Sequence, residues 1–354
     1  MSKPLHRTST ILVLCGALPL VWGCSATGEN GGDNEAPTQE VVNLYSARHY
    51  DADDPLYDRF EEETGIRVNV IEGDSAALLE RLTREGEDSP ADVFMAVDAG
   101  RLYQAESRGV FQPVSSPLLE ERVPASLRHP DGLWFGLTKR ARVLVYAKDR
   151  VDPTEIGRYE DLADPRWKGK VLVRSSSNVY NQSLVASIIA ANGEEAAEAW
   201  CRAVVENFAR QPQGGDRDQI RAVAAGEGDI AITNSYYLAR MISGEPADRD
   251  AAATVGVIYP NQDGRGTHVN VSGAGVVRGA PNRDNAVRFL EFLAGPEAQQ
   301  VLAVANKEYP VAGGADAVAE LAEFGTFEED EINAAVFGAG NQEALMMMDR
   351  CGWR

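Results

Sequence analysis

The chain has 354 residues, of which 44% are hydrophobic, and its formal net charge is −20 at pH 7. This length suggests about two domains, and the apolar content is sufficient for ordinary buried cores. The acidic balance argues against nucleic acid and anionic membrane surfaces as partners, because both repel a negatively charged protein.

The amino terminus has the features of a secretory targeting segment. Lys3 and Arg7 form a basic region, and the apolar run at 11–21 that follows is too short to span a bilayer. A small residue and then Cys24 end this region, which resembles a bacterial lipoprotein signal in which Cys24 carries the lipid. The alternative is an ordinary cleaved signal peptide with an incidental cysteine. We therefore expect residues 1–24 to be a lipoprotein signal peptide, with the folded part outside the cytoplasmic membrane.

Residues 25–39 are rich in Gly, Asn, Glu and Asp and have too little apolar surface to fold, so they are predicted to be a flexible tether. Beyond the signal, only Cys201 and Cys351 remain. In an oxidising compartment, two such cysteines are candidates for one disulfide. This bond would hold the carboxyl-terminal tail against a helix predicted over 196–205. The alternative is two separately buried thiols.

The folded part opens with alternating strands and helices. Strands are predicted at 41–46, 66–71 and 91–96, and helices at 55–63 and from about 74 to 86. Three strands with intervening helices over about 55 residues are the beginning of a doubly wound α/β domain.

Two long β-prone runs, 135–147 and 267–277, have the length to leave one sheet and enter another. We therefore predict an α/β protein with two doubly wound lobes joined by crossing strands. The predicted first lobe comprises residues 40–141 and 267–317. The predicted second lobe comprises residues 142–266 and 318–354.

Polar aromatic side chains follow predicted strands at several points, and this set consists of His49, Tyr50, Tyr180, Tyr236 and Tyr237. The last two follow a buried strand at 230–232, and a helix is predicted from Leu238 onward. Tyr180 likewise precedes a helix predicted over 184–191. Ligands of open α/β sheets bind at the carboxyl ends of the strands. We therefore expect these side chains to face one crevice.

The chemistry of this set favours a highly charged cation. A free phenol has a pKa of about 10 and is normally a neutral donor, but a strong cation displaces the proton and binds the phenolate oxygen. Ferric iron is hard and trivalent and suits such ligands. Four phenolates would leave about one negative charge, which Arg48, Arg140, Arg142 or Arg174 could balance.

Other interpretations stay open at this point. A single tyrosine at a strand end is more often a core or rim residue, and tyrosine pairs also line sugar and polyamine sites. A hydrolase would use Ser177 and His49, yet no Gly-x-Ser-x-Gly elbow accompanies that serine. Zinc is disfavoured, because the sequence has neither a His cluster nor paired Cys at ligand spacing.

Three motifs together resemble the periplasmic ferric iron-binding proteins of ABC importers, which are transferrin-like members of the type II periplasmic binding fold. The motifs are Tyr45-Ser46-Ala47-Arg48-His49-Tyr50, Arg174-Ser-Ser-Ser-Asn-Val-Tyr180 and Asn234-Ser235-Tyr236-Tyr237. The resemblance covers residues 41–354. It implies that Fe(3+) is bound by His49, Tyr50, Tyr180, Tyr236 and Tyr237. The form of the second motif resembles the subgroup in which the protein supplies most or all ligands, and a water or (bi)carbonate co-ligand beside Arg48, Arg142 or Arg174 stays open.

The function implied by this resemblance is that of a non-enzymatic protein that captures ferric iron and delivers it to an ABC permease and its ATPase. We expect a monomer in the periplasm, or on the outer face of the cytoplasmic or outer membrane, with a lipid anchor and no nucleic-acid partner. The alternatives are a two-lobed binding protein for an organic cation (a polyamine or thiamine) and an extracytoplasmic hydrolase. The organic-cation alternative would need acidic side chains at the same strand ends.

Overall fold

The structure, a computed structural model, describes residues 39–48 and 53–354. The predicted signal peptide with Cys24, almost all of the predicted tether, and the predicted ligands His49 and Tyr50 lie outside these residues. Residues 39–354 form one compact unit. Within the described part of the chain, no helix is both long enough and apolar enough to cross a membrane.

One continuous mixed sheet of nine strands is the centre of the described fold. The strands are β1 (Val41–Ser46), β2 (Arg67–Glu72), β3 (Val93–Val97), β4 (Phe135–Ala147), β5 (Val171–Leu172), β6 (Ile230–Asn234), β7 (Val255–Ile258), β8 (Val269–Val276) and β9 (Tyr309–Pro310). Their order is β2-β1-β3-β8-β4-β6-β5, and β7 and β9 also pair with β4. The prediction of strands alternating with helices is thus confirmed.

The helices connect these strands and cover the sheet. They are α1 (Asp54–Thr64), α2 (Ser75–Glu85), α3 (Ala99–Glu106), α4 (Pro117–Arg122), α5 (Val179–Asn192), α6 (Glu194–Glu206), α7 (Asp216–Ala224), α8 (Ser235–Ile242), α9 (Pro246–Thr254), α10 (Arg283–Leu293), α11 (Pro296–Asn306), α12 (Ala319–Ala322), α13 (Ala334–Ala339) and α14 (Asn341–Cys351). Capping residues in the sequence explain two of the boundaries. Asp74 accepts from the first backbone N–H groups of α2, and Gly65 ends α1 in the left-handed conformation with φ 75°.

The long strand β4 changes partners along its length. Residues 135–141 pair with β8, which returns antiparallel between β3 and β4, whereas residues 142–146 pair with β6. The change falls between Ala141 and Arg142, which is the predicted boundary between the two lobes. Because residues 39–354 form one compact unit, the division into two lobes stays a prediction.

Two helices begin earlier than predicted, and the difference matters for the tyrosines. Helix α5 begins at Val179 rather than at Leu184, and α8 begins at Ser235 rather than at Leu238. Tyr180, Tyr236 and Tyr237 therefore lie in the first turns of helices, not in a loop before them. The apolar periodicity from which the helices were predicted starts only with the aliphatic residues, which face the core.

Cys201 in α6 and Cys351 at the end of α14 are both buried free thiols. The pKa of the Cys201 thiol is raised, mainly by burial and to a smaller extent by a hydrogen bond with Cys351. The two side chains are therefore neighbours. The sulfur of Cys351 also lies 3.7 Å from the carbonyl oxygen of Glu198. The structure therefore has two adjacent thiols rather than a disulfide, and formation of the bond stays a prediction.

Candidate metal centre

Three of the predicted ligands are brought together at the starts of α5 and α8. The hydroxyl oxygens of Tyr180 and Tyr236 are 3.5 Å apart. The rings of Tyr236 and Tyr237 are stacked, with centroids 4.2 Å apart and an interplanar angle of 30°. Tyr236 is 1% exposed, and Tyr180 and Tyr237 are half-buried. Three phenols therefore share one partly accessible place in the fold.

The order of the strands explains why these tyrosines meet. Strands β5 and β6 are adjacent and parallel, with Val171 opposite Ile230. Parallel neighbours end at the same edge of a sheet, so the segments that follow them start close together. Asn178 caps α5 by accepting a hydrogen bond of 3.1 Å from the backbone N–H of Tyr180. This cap fixes the backbone from which the Tyr180 side chain extends.

Guanidinium groups surround the phenol of Tyr180. The central guanidinium carbons of Arg140, Arg142 and Arg174 lie 5.8, 5.9 and 5.5 Å from the centroid of its ring. Nearby positive charges favour an ionised phenol over a neutral one. They also attract the ring itself through its quadrupole. This environment is suited to a phenolate.

The pKa of Arg140 reflects the same arrangement. Burial lowers the pKa of this guanidinium, but the negative charge of Glu308 raises it by more, so the net shift is upward. Arg140 donates to the hydroxyl oxygen of Ser272 at 3.0 Å. Its Nε and Nη2 atoms have no hydrogen-bond partner among residues 39–48 and 53–354. Arg140 thus keeps its positive charge beside the phenols.

Two of the predicted anion-binding arginines are engaged in buried ion pairs. The Nε atom of Arg48 lies 2.7 Å from Asp53, and its Nη1 atom lies 3.0 Å from Glu308. Arg142 lies 2.8 Å from Asp216. These carboxylates are sufficient to explain why both arginines are buried. A role for Arg48 and Arg142 with an anion stays a prediction.

The third predicted anion-binding residue is more accessible. The side chain of Arg174 is 21% exposed and lies 3.4 Å from Asp216, a longer contact than that of Arg142. Burial lowers the pKa of Arg174, and the negative charge of Asp216 raises it by more. Of the three arginines predicted to bind an anion, Arg174 is therefore the one best placed to contact a further group.

Arg240 is a residue of this centre that the sequence analysis missed. Its guanidinium carbon lies 5.0 Å from the centroid of the Tyr236 ring. It also donates to Asn306 at the end of α11, to the carbonyl oxygen at 3.2 Å and to the side-chain oxygen at 3.3 Å. The signal was present in the sequence, because residues four apart on a helix share a face.

Carboxylate, imidazole and thiol groups do not form a comparable cluster. In the described ranges, no group of three or more His, Cys, Asp or Glu side chains is placed to hold a metal ion. His268, which follows the loop before β8, is buried and packs edge-on against Phe337 at 4.7 Å between ring centroids. Its backbone carbonyl accepts from the N–H of Arg142 at 2.9 Å. These contacts are structural.

Comparison with known proteins defines the class. Residues 88–333 match the family described as bacterial extracellular solute-binding protein. The fold matches solved ferric binding proteins, which have the type II periplasmic binding fold. The chain is therefore an extracellular or periplasmic solute-binding protein and not an enzyme. The predicted fold class and the prediction that the protein is not an enzyme are confirmed.

Individual relatives narrow the class further. Iron uptake protein A1 of Synechocystis sp. is 51% identical over 347 residues, which are 98% of this chain and 94% of that protein. A Trichodesmium FutA (IdiA) structure in complex with iron and citrate is 53% identical with a TM-score of 0.87, covering 89% of this chain and 100% of that one. A ferric binding protein from Campylobacter jejuni is 42% identical with a TM-score of 0.82, covering 88% and 100%. The chain belongs to the ferric iron-binding (FutA/IdiA) family of solute-binding proteins, as the three motifs indicated.

Proposed function

We propose that this protein binds Fe(3+) outside the cytoplasmic membrane through His49, Tyr50, Tyr180, Tyr236 and Tyr237, and presents it to an ABC permease. The observation that carries the proposal is the 3.5 Å separation between the hydroxyl oxygens of Tyr180 and Tyr236. Two oxygens that each lie about 2 Å from one metal ion are at most about 4 Å apart. The observed separation is thus compatible with both phenols binding a single ion.

Charge balance favours a trivalent ion at this place. Four phenolates and a neutral imidazole leave about one negative charge on a ferric complex. The guanidinium groups over the Tyr180 and Tyr236 rings, at 5.0–5.9 Å, are close enough to offset that charge. A divalent ion with the same ligands would leave about one more negative charge, which disfavours it.

The participation of His49 and Tyr50 is supported by the residues that flank them in the chain. Arg48 and Asp53 form a buried ion pair of 2.7 Å. Asn306 donates to Asp53 at 3.1 Å and accepts from Arg240, whose guanidinium lies over Tyr236. The two flanking residues are therefore linked, through Asn306 and Arg240, to the tyrosines of α8.

A water or (bi)carbonate co-ligand is also part of the proposal, with Arg174 as its best-suited partner. Arg174 is only partly engaged by Asp216 and is 21% exposed. An anion there would share the positive charge that already favours the Tyr180 phenolate. Iron binding would close the predicted lobes about the crossing strands, and the permease would recognise the closed, monomeric form.

We also propose that Cys24 carries a lipid that anchors the protein, as the amino-terminal sequence indicates. In cells grown with labelled palmitate, the wild type is expected to incorporate label and to sediment with membranes. Cys24→Ser is expected to lose the label. A wild type that incorporates no label would contradict the lipid anchor and favour an ordinary cleaved signal peptide.

Iron retention tests the proposed function. After incubation with ferric citrate and gel filtration, the wild type is expected to retain one iron per chain, and a Tyr236→Phe/Tyr237→Phe variant much less. Tyr259→Phe is the control, because the hydroxyl of Tyr259 pairs with Tyr309 at 2.7 Å and not with a proposed ligand. A wild type that retains no iron contradicts the proposal. Retention of a polyamine or thiamine instead would favour the organic-cation alternative.

A further inference from the structure

Asp216 connects the two segments that carry Tyr180 and Tyr236. It is the first residue of α7, and it is 0% exposed. Its Oδ2 atom accepts from the backbone N–H of Asn234 at 2.8 Å and from Nη1 of Arg142 at 2.8 Å. Its Oδ1 atom accepts from Arg174 at 3.4 Å. One buried carboxylate thus contacts the residue that directly precedes α8 and two of the arginines near Tyr180.

Arg142 extends this connection to the residue after Tyr180. Its Nη2 atom donates to the side-chain oxygen of Asn181 at 2.7 Å. Its Nη1 atom, besides contacting Asp216, donates to the side-chain oxygen of Asn234 at 3.1 Å. A single planar guanidinium therefore bridges the start of α5 and the start of α8. A point charge such as a lysine ammonium cannot reproduce this fork.

The loop before Tyr180 is held by the same group of residues. The amide nitrogen of Asn181 donates to the carbonyl oxygens of Arg174 and Ser175 at 2.9 and 3.2 Å. The indole N–H of Trp353, in the carboxyl-terminal tail, donates to the same Arg174 carbonyl at 2.8 Å. The backbone on both sides of Tyr180 is thus fixed by hydrogen bonds that lead back to Asp216.

We propose that Asp216 is a positioning residue that, acting through Arg142, sets the separation of the Tyr180 and Tyr236 hydroxyls and thereby the ferric affinity of the centre. This inference rests on the proposed function. Charge-assisted hydrogen bonds between buried groups are strong and directional, so they restrain the helices they join. Removing one buried partner also leaves the other charge uncompensated. Groups that orient metal ligands without touching the metal have large effects on affinity.

The test compares Asp216→Asn with Asp229→Asn. The control removes a carboxylate that pairs with Arg150 at 2.9 Å and is bonded to none of the proposed ligands. Ferric affinity is measured by competition with citrate, and the phenolate-to-iron absorption band is recorded for each loaded protein. Asp216→Asn is expected to lose about 10- to 100-fold in affinity with a displaced band. Asp229→Asn is expected to change affinity by less than about fivefold, with an unchanged band.

Arg142→Lys provides a second variant in case Asp216→Asn does not fold, which circular dichroism will show. It keeps one positive charge but cannot reach Asn181, Asn234 and Asp216 together, so it is expected to weaken ferric binding and displace the band. If the wild type binds iron and the folded Asp216 or Arg142 variants match Asp229→Asn in affinity and band position, the positioning role is wrong and the proposed function stands. A wild type that binds no iron overturns the proposed function itself.

Discussion

The hydroxyl oxygens of Tyr180 and Tyr236 lie 3.5 Å apart, although 56 positions separate the two residues in the chain. The parallel pairing of β5 with β6 brings them together, because the helices after both strands begin at one edge of the sheet. Phenols this close repel each other when both are ionised, unless positive charge lies near or between them. The arginines around the rings supply part of that charge, and a bound ferric ion would supply the rest.

The first prediction concerns Arg240, whose charge lies over the Tyr236 ring at 5.0 Å. Arg240→Gln keeps a hydrogen-bonding side chain but removes the charge. Ferric binding is expected to weaken by about 1 kcal/mol, because a positive charge near the site offsets the net negative charge of the ferric complex. Citrate competition measures the change. Arg249→Gln is the control, since Arg249 donates to the carbonyl of Gly244 at 2.9 Å. Equal affinities for the two variants would exclude this role for Arg240.

The second prediction is that acid releases the iron. Protons compete with the ferric ion for phenolate oxygen, because a free phenol has a pKa of about 10. Affinity is therefore expected to fall steadily as the pH falls. Iron released into a chelator is measured from pH 8 downward, with circular dichroism in parallel to exclude unfolding. Complete retention by a folded protein in strong acid is incompatible with tyrosine ligands.

The third prediction concerns the stability of the iron-free protein. Burial, and then the positive charge of Arg265, lowers the pKa of His268 to about 3. Below the ordinary pKa of about 6.5, the unfolded chain binds a proton that the folded chain does not. The contribution of His268 to the free energy of unfolding is thus intact above that pH. It falls by about 1.4 kcal/mol per pH unit as the pH decreases toward 3.

Urea denaturation of the wild type and of His268→Gln at several pH values measures this contribution. The difference between the two proteins isolates His268, because all other groups are common to both. One of these groups is Asp98. Burial raises the pKa of this carboxyl group to about 6, and its protonation stabilises the fold as the pH decreases. His129→Gln is expected to leave the His268 contribution in place. Parallel curves for the wild type and His268→Gln would show that His268 is protonated in the fold.

The fourth prediction concerns the adjacent thiols of Cys201 and Cys351. Protein isolated from an oxidising compartment is expected to contain a disulfide between them. The bond would close a loop of about 150 residues and stabilise the fold by about 5 kcal/mol in the chain-entropy account. Mass spectrometry without reductant, and thermal melts with and without it, check both points. Two thiols that react freely with a maleimide under denaturing conditions would contradict the bond.

The sequence was most informative about the strands and about the type of site. The bounds of β1 and β4 are those predicted, because runs of β-branched residues and alternating apolar residues are typical of strands. The positions of Tyr180, Tyr236 and Tyr237 after predicted strands were also sufficient to predict that these residues lie close together. The starts of α5 and α8 were missed, since a tyrosine in a first helical turn does not continue the apolar pattern.

The sequence alone did not predict which residues pair with the buried charged side chains. Asp216 lies 74 positions from Arg142, and no local pattern indicates their contact. The same is true of Arg48 and Glu308, which are 260 positions apart. Such pairs can be inferred only when the order of the strands in the sheet is known. Arg48 and Arg142, predicted as anion-binding residues, are both members of such buried ion pairs, and their role with an anion stays a prediction.

Ligation of ferric iron by Tyr180 and Tyr236 is best tested by the visible absorption spectra of the ferric-loaded wild type, Tyr180→Phe, Tyr236→Phe and the control Tyr259→Phe. Phenolate oxygens bound to ferric iron produce a charge-transfer band. We expect a coloured wild type, a weaker or displaced band in the Tyr180 and Tyr236 variants, and an unchanged band in the Tyr259 variant. A colourless ferric complex, or a band that neither ligand variant alters, would contradict ligation by these tyrosines.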